Sequence, residues 1–143
     1  MKKKLCLSAV ICVLALAGLL YVSACRSTPE AFYTQHKATL HGAVEEILDS
    51  GSVQGVSVEG VEQIELWSSS PTIVAFHTSG FGLAPSSHYR GFYYSPDDTP
   101  VPFQNASVPL EPSETGWSWT DGTDNHGGTS RIAPCWYTFE AHF

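Results

Sequence analysis

Hydrophobic positions along the chain follow three successive patterns. From Leu5 to Ala24 they are continuous, with only Ser8 and Ser23 as polar interruptions and no charge. Between residues 29 and 50 they thin to helical spacing, at Tyr33, Leu40, Val44, Ile47 and Leu48. Ser27-Thr28-Pro29-Glu30 supplies a start signal for that helix. Ser27 or Thr28 can cap the free amides, Pro29 suits the first turn, and Glu30 completes a capping box with Ser27. Gly51 supplies the stop. The spacing predicts an amphipathic helix over residues 29–50.

After Gly51 the period shortens. Val56–Val58, Val61–Trp67, Ile73–Thr78, Tyr89–Ser95, Trp117–Thr120 and Arg131–Phe143 alternate or cluster as strands do. Ser68-Ser69-Ser70-Pro71 and Pro96-Asp97-Asp98-Thr99-Pro100 are turn signals, and residues 80–87 read as a flexible loop. Residues 96–116, rich in proline and polar side chains, predict an irregular surface excursion, and Asp121–Gly128 a polar turn. Strands without intervening helices pair antiparallel. The expected fold class is therefore α+β: one N-terminal amphipathic helix on a four- to six-stranded antiparallel sheet, preceded by a hydrophobic export or anchor segment.

Three lysines, Lys2 to Lys4, precede the continuous apolar run. A positive n-region before an apolar run of about 20 residues is an export signal, because the lysines stay cytoplasmic while the run enters the bilayer. The run ends in Val22-Ser23-Ala24-Cys25. These residues resemble the bacterial lipobox, and the resemblance implies that Cys25 carries a lipid. Val22 and Ala24 also suit an ordinary signal peptidase, and residues 5–24 are long enough to stay as an uncleaved anchor. Each route divides the chain into a signal or anchor, 1–25, and one exported domain, 26–143. It also makes the membrane a partner, through the Cys25 lipid or through residues 5–24.

Loss of residues 1–24 leaves 119 residues, enough for one domain. Four Lys+Arg then stand against 14 Asp+Glu, a net charge of −10. That surface repels phosphate backbones and carries no basic cluster, which argues against nucleic acid as a partner. Cys6 and Cys12 lie in the apolar run, so Cys135 is the sole thiol expected in the mature domain besides Cys25. No disulfide is expected, and Cys135, beside Trp136 in an apolar stretch, reads as a small buried hydrophobe.

Aromatic residues are the feature richest in chemical content. Trp117 and Trp119 are two apart, so a strand turns both indoles to one face, close to Asp121 and Asp124. Exposed, that group would form a stacking platform with hydrogen-bonding carboxylates, as a sugar or peptide requires. Buried, the indoles would be core. Trp117, Trp119, Asp121 and Asp124 are the candidate ligand-binding residues. The Asp121–Gly128 loop does not follow the EF-hand order, since Thr123 and His126 stand at its third and sixth positions. On the helix, His36 and His41 are five apart and point away from each other, and His41–Glu45 reads as a solvated pair. No metal ligand set and no cofactor is assigned. The chain also lacks G-x-S-x-G, H-E-x-x-H, a Walker loop and C-x-x-C, so no catalytic residue is assigned.

The segments Tyr89-Arg90-Gly91-Phe92-Tyr93-Tyr94-Ser95, Gly116-Trp117-Ser118-Trp119 and Cys135-Trp136-Tyr137 resemble small exported proteins of Gram-positive gut bacteria. The resemblance transfers no site residue. The expectation for function is a non-enzymatic, membrane-tethered envelope protein that binds or protects an extracytoplasmic polysaccharide or protein partner. The rivals are a small envelope hydrolase using Asp/His residues near the glycine-rich loops, and a structural or assembly partner of another envelope protein.

Overall fold

The computed structural model describes residues 28–83 and 86–143; the apolar run, the lipobox-like residues and Cys25 lie outside them. Helix α1, Pro29–Ser50, begins where Thr28 Oγ1 accepts the Ala31 amide at 3.3 Å. It ends on Gly51, whose left-handed φ of 67° lets its N–H reach the Ile47 carbonyl. Tyr33, Leu40, Ala43, Val44 and Ile47 form the buried stripe. Leu48 is exposed, contrary to the sequence expectation. At 100° per residue it lies roughly a quarter turn from the centre of that stripe. No helix among the described residues is long and apolar enough to cross a membrane.

Seven strands follow: β1 Gln63–Ser69, β2 Thr72–Leu83, β3 Ser86–Tyr94, β4 Glu111–Ser113, β5 Gly116–Thr120, β6 His126–Ala133 and β7 Trp136–His142. They make one antiparallel sheet in the order β1-β2-β3-β7-β6-β5-β4. The α+β class stands, with seven strands in place of four to six. Two strands are additional. One is β4, a short edge segment inside the expected excursion. The other is β6, which takes in the end of the expected polar turn and is parted from β7 by Pro134 and Cys135, so that the expected stretch Arg131–Phe143 is not one strand. Val56–Val58 forms no strand, although Val58 is buried against the helix side of the core. The expected loop at residues 80–87 is instead the meeting of two long strands, because β2 runs on to Leu83 and β3 begins at Ser86.

Apolar doublets explain why the sheet is covered twice. Val74, Phe76, Phe92 and Trp136 point to one face, where α1 lies across them. Ile73, Ala75, Tyr93, Tyr137 and Phe139 point to the other. A strand buried on both faces loses its alternation and reads as a continuous apolar run. Residues 96–110, expected to be a surface excursion, supply the second cover: Val101, Phe103, Val108 and Leu110 fold down onto that face. Two tyrosines pin the segment. The Tyr93 hydroxyl accepts the Val101 amide at 2.9 Å and lies 2.8 Å from Thr129 Oγ1; burial pushes its pKa up to about 12. The Tyr137 hydroxyl donates to the Asp98 carbonyl at 2.7 Å.

Where β3 meets β7, Gly91 lies opposite Phe139. A Cβ at residue 91 would stand 2.0 Å from the Phe76 carbonyl oxygen and 2.9 Å from the Phe139 ring, so only glycine fits. Cys135 lies in the two-residue turn between β6 and β7 and not within a strand, with a positive φ of 65°. It is half-buried and is the one free cysteine among the described residues. Its Sγ lies 3.6 Å from the Pro96 carbonyl.

Asp98 ties that turn to the covering segment. Its carboxylate takes both Arg131 Nε, at 3.1 Å, and Arg131 Nη2, the Cys135 amide at 2.8 Å and the Tyr137 hydroxyl at 3.0 Å. Chiefly the Arg131 guanidinium, then the Cys135 amide, hold the Asp98 pKa well below the usual carboxylate range. A depressed folded-state pKa contributes stability that is present above the unfolded value, ~3.9, and is lost as pH falls toward the folded one. Asp98→Asn will therefore lower the melting temperature at neutral pH. The gap to the parent will narrow as pH drops below about 4. Thermal melts across that range check it; a gap independent of pH would remove the carboxylate from the stabilising role.

Candidate functional site

The four sequence-derived site residues fall on one hairpin. Trp117 and Trp119, on β5, do share a face, the one covered by residues 96–110. Trp119 is only 6% exposed. Its indole lies on Gly127, opposite it in β6, where a Cβ would meet the ring at 2.8 Å. Trp117 is half-buried and packs 6.3 Å from Tyr137. Asp121 and Asp124 are exposed in the following turn. The Asp121 carboxylate is turned inward: it accepts the Thr123 hydroxyl at 2.6 Å, the Thr123 amide at 2.9 Å and Asn125 Nδ2 at 2.8 Å. Those bonds, the Thr123 hydroxyl first, hold its pKa below the ordinary value. Asp124 meets His126 through its backbone carbonyl, 2.8 Å from Nδ1. The structure brings the two tryptophans together but does not gather them with the carboxylates into an open platform.

A better-formed site lies on the same face, at the opposite side of the sheet. A cleft of about 350 Å³ opens beneath the short 3-10 turn Phe103–Asn105. Three aromatic rings form part of its wall, Tyr89 from β3, Phe103 from the turn and Phe143 just past β7, and the rest of the lining is polar. Tyr89 stacks on Phe103 at 5.4 Å, and Phe143 meets Phe103 at 5.5 Å. Phe143 is 38% exposed, so the wall is open to solvent on that side.

Polar groups converge at the bottom of this cleft. His77, from β2, is 5% exposed, and its Nε2 lies 2.7 Å from Glu65 Oε1 of β1. The same oxygen accepts Trp67 Nε1 at 2.7 Å. Gln63 Nε2 reaches the other carboxylate oxygen at 3.4 Å. Glu65 Oε1 accepts both contacts, so His77 donates to it through Nε2. The imidazole stands edge-on to Phe139 at 5.0 Å, Phe103 at 6.1 Å and Tyr89 at 6.2 Å, which fixes its plane. Alternation along β1 and β2 places Glu65 and His77 on one face. Their convergence requires the register of the two strands, in which Gln63 lies opposite His77. Sequence reasoning passed over Glu65 altogether.

On the other face, near the first residues of α1, three histidines line up across β3, β7 and β6. His142 stacks on His88 at 4.0 Å and on His126 at 4.8 Å. Burial first, then His142 and Arg90, hold the His88 pKa below its ordinary value. No family model matches the chain, and neither the curated proteins nor the solved structures contain a significant match to it.

Proposed function

We propose that the chain is an exported, membrane-tethered binding domain that holds a small amphipathic ligand in the cleft over Glu65 and His77. The observation that carries this reading is the combination in one cleft of three aromatic rings and a carboxylate–imidazole pair whose imidazole is buried and whose carboxylate is partly exposed. A concave site that pairs aromatic surface with convergent polar groups suits a small amphipathic ligand. The flat part of the ligand would lie against Tyr89, Phe103 and Phe143. Its polar end would donate hydrogen bonds, because the cleft bottom offers the Glu65 carboxylate as an acceptor. The net charge of −10 expected of the mature domain further favours a cationic end over an anionic one.

Two alternatives gain less support. A hydrolase built on Asp121 would need a free carboxylate, and that group is committed to its own turn. Assembly through sheet edges would need a long, flat edge strand. Edge strand β4 has three residues with Pro112 at its centre, and edge strand β1 carries a bulge between Leu66 and Ser68.

Both halves of the proposal are testable. Cys25→Ser will abolish fatty-acid labelling and detergent-phase partitioning; unchanged labelling would remove the lipid anchor. For the cleft, phenethylamine and phenylacetate serve as probes of matched size and opposite charge. Phenethylamine is expected to move the NMR amide signals around Tyr89, Phe103 and Phe143, and Phe103→Ala to weaken that response. If neither probe perturbs the cleft, or phenylacetate does so more strongly, the proposed ligand class fails.

A further inference from the structure

Two opposed residue pairs at the end of β3 and β7 create a second candidate site on the face away from the cleft. Ser87 and Phe143 exchange both backbone hydrogen bonds, at 2.8 and 2.9 Å. The adjacent opposed pair, His88 and His142, is then a non-hydrogen-bonded pair, in which antiparallel side chains approach most closely. Two residues further along, Arg90 opposes Glu140 on the same face. The result is a square of side chains, with His88 and Arg90 on β3 and His142 and Glu140 on β7. Ligand atoms of His88, Glu140 and His142 all lie within 4.8 Å of one another.

We propose that His88, Glu140 and His142 bind a divalent transition metal ion, with Zn²⁺ as the first candidate and Cu²⁺ and Ni²⁺ as its neighbours in preference. Two imidazoles and one carboxylate form a borderline donor set that suits these ions; the hard cations Ca²⁺ and Mg²⁺ require oxygen ligands. Three protein ligands leave a fourth position for water. In a filled tetrahedral site the donor atoms stand about 3.3 Å apart, so the three side chains must draw together by rotating about their own bonds. They are free to do so. Glu140 is exposed, with its side chain 52% accessible, and the two histidines are only partly buried.

Arg90 supplies the second, independent observation. Its Nε donates to His88 Nε2 at 3.2 Å and lies 3.7 Å from Glu140 Oε2. A guanidinium therefore sits between two of the three ligands, on the lone pair and the charge that a metal ion would use. It is a cation holding the place of a cation. The Arg90 side chain is 56% accessible and can swing away when an ion arrives. His126 supports the arrangement from β6: it stacks on His142 with rings only 4° from parallel, and its Nδ1 donates to the Asp124 carbonyl. That contact braces the His142 ring against the strand, as outer partners orient metal ligands elsewhere.

The test uses the full chain in detergent micelles with metal ions alone as probes. Zn²⁺ is expected to bind by calorimetry and to raise the melting temperature, since it binds the folded state, whereas Ca²⁺ does neither. Co²⁺ is expected to give the visible absorption of a four-coordinate site. His142→Ala, His88→Ala and Glu140→Gln should each weaken Zn²⁺ by on the order of tenfold or more. His41→Ala, on α1, should leave it unchanged. Arg90→Ala should tighten Zn²⁺ severalfold, because the guanidinium that competes for His88 Nε2 and Glu140 Oε2 is removed. A gain of affinity cannot arise from misfolding, so this variant guards against damage to the sheet. Equal Zn²⁺ binding by parent and ligand variants, a loss in His41→Ala as large as in His142→Ala, or an Arg90→Ala chain that binds no more tightly than the parent would overturn the site.

Discussion

Replacing Trp136 with alanine will cost about 3–5 kcal/mol of folding stability, the range for removing a large aromatic side chain from a packed core. Trp136 is fully buried, and five rings surround it: Tyr33 at 5.2 Å, His41 at 5.4 Å, Tyr94 at 5.5 Å, Phe76 at 5.7 Å and Phe92 at 6.2 Å. These come from α1, β2 and β3, so a single indole joins the helix to three strands of the sheet. Its indole Nε1 is buried and has no hydrogen-bond partner among the described residues. An unpaired buried donor costs on the order of 1–3 kcal/mol. Trp136→Phe is therefore expected to lose far less than Trp136→Ala, because it keeps an aromatic ring and removes the orphan donor. Denaturant unfolding of both variants decides the matter. Equal losses would mean that the retained ring restores no packing and that removing the orphan N–H returns nothing.

Trp119→Ala is the second large effect, also about 3–5 kcal/mol, and it bears on function as well as stability. The indole joins the core of the face covered by residues 96–110, with Phe143 at 6.1 Å. Gly127 beneath it leaves room for the ring to lie on the β6 backbone, so truncation opens a cavity that neither glycine nor strand can fill. The expected result is a strongly lowered denaturation midpoint. The same variant weighs the indole platform considered from sequence. A Trp119→Ala chain that keeps its stability while losing affinity for an envelope polysaccharide or protein would restore that platform.

Much of the fold was legible because short-range physics writes it locally. The helix over residues 29–50 follows from the spacing of Tyr33, Leu40, Val44 and Ile47 and from its caps, and the structure places it at Pro29–Ser50. The antiparallel sheet follows from successive strands joined by turns. Other features misled. Residues 96–110 look like a solvated excursion because proline and polar side chains dominate them. Yet Phe103 and Val101 are enough to anchor them, once Tyr93 and Asp98 have fixed the path of the backbone. Glycines at 127 and 128 read as turn residues, but both lie within β6, and position 127 is required by the indole above it.

By itself the sequence determined the class, the helix, the acidic balance and the expectation of export, because each depends on composition or on spacing within a few residues. That the sheet is covered on both faces emerged only in the structure, where Val74–Phe76, Phe92–Tyr93 and Trp136–Tyr137 contribute side chains to both cores. Which segment covers the second face, and which polar side chains converge, only the tertiary structure decided. Glu65 and His77 are twelve residues apart and meet through the β1–β2 register. His88 and His142 lie much further apart in the chain and meet because β7 inserts between β3 and β6. Strand alternation can assign a side chain to a face. Only the pairing of distant strands, a long-range event with no local signature, assigns it a neighbour.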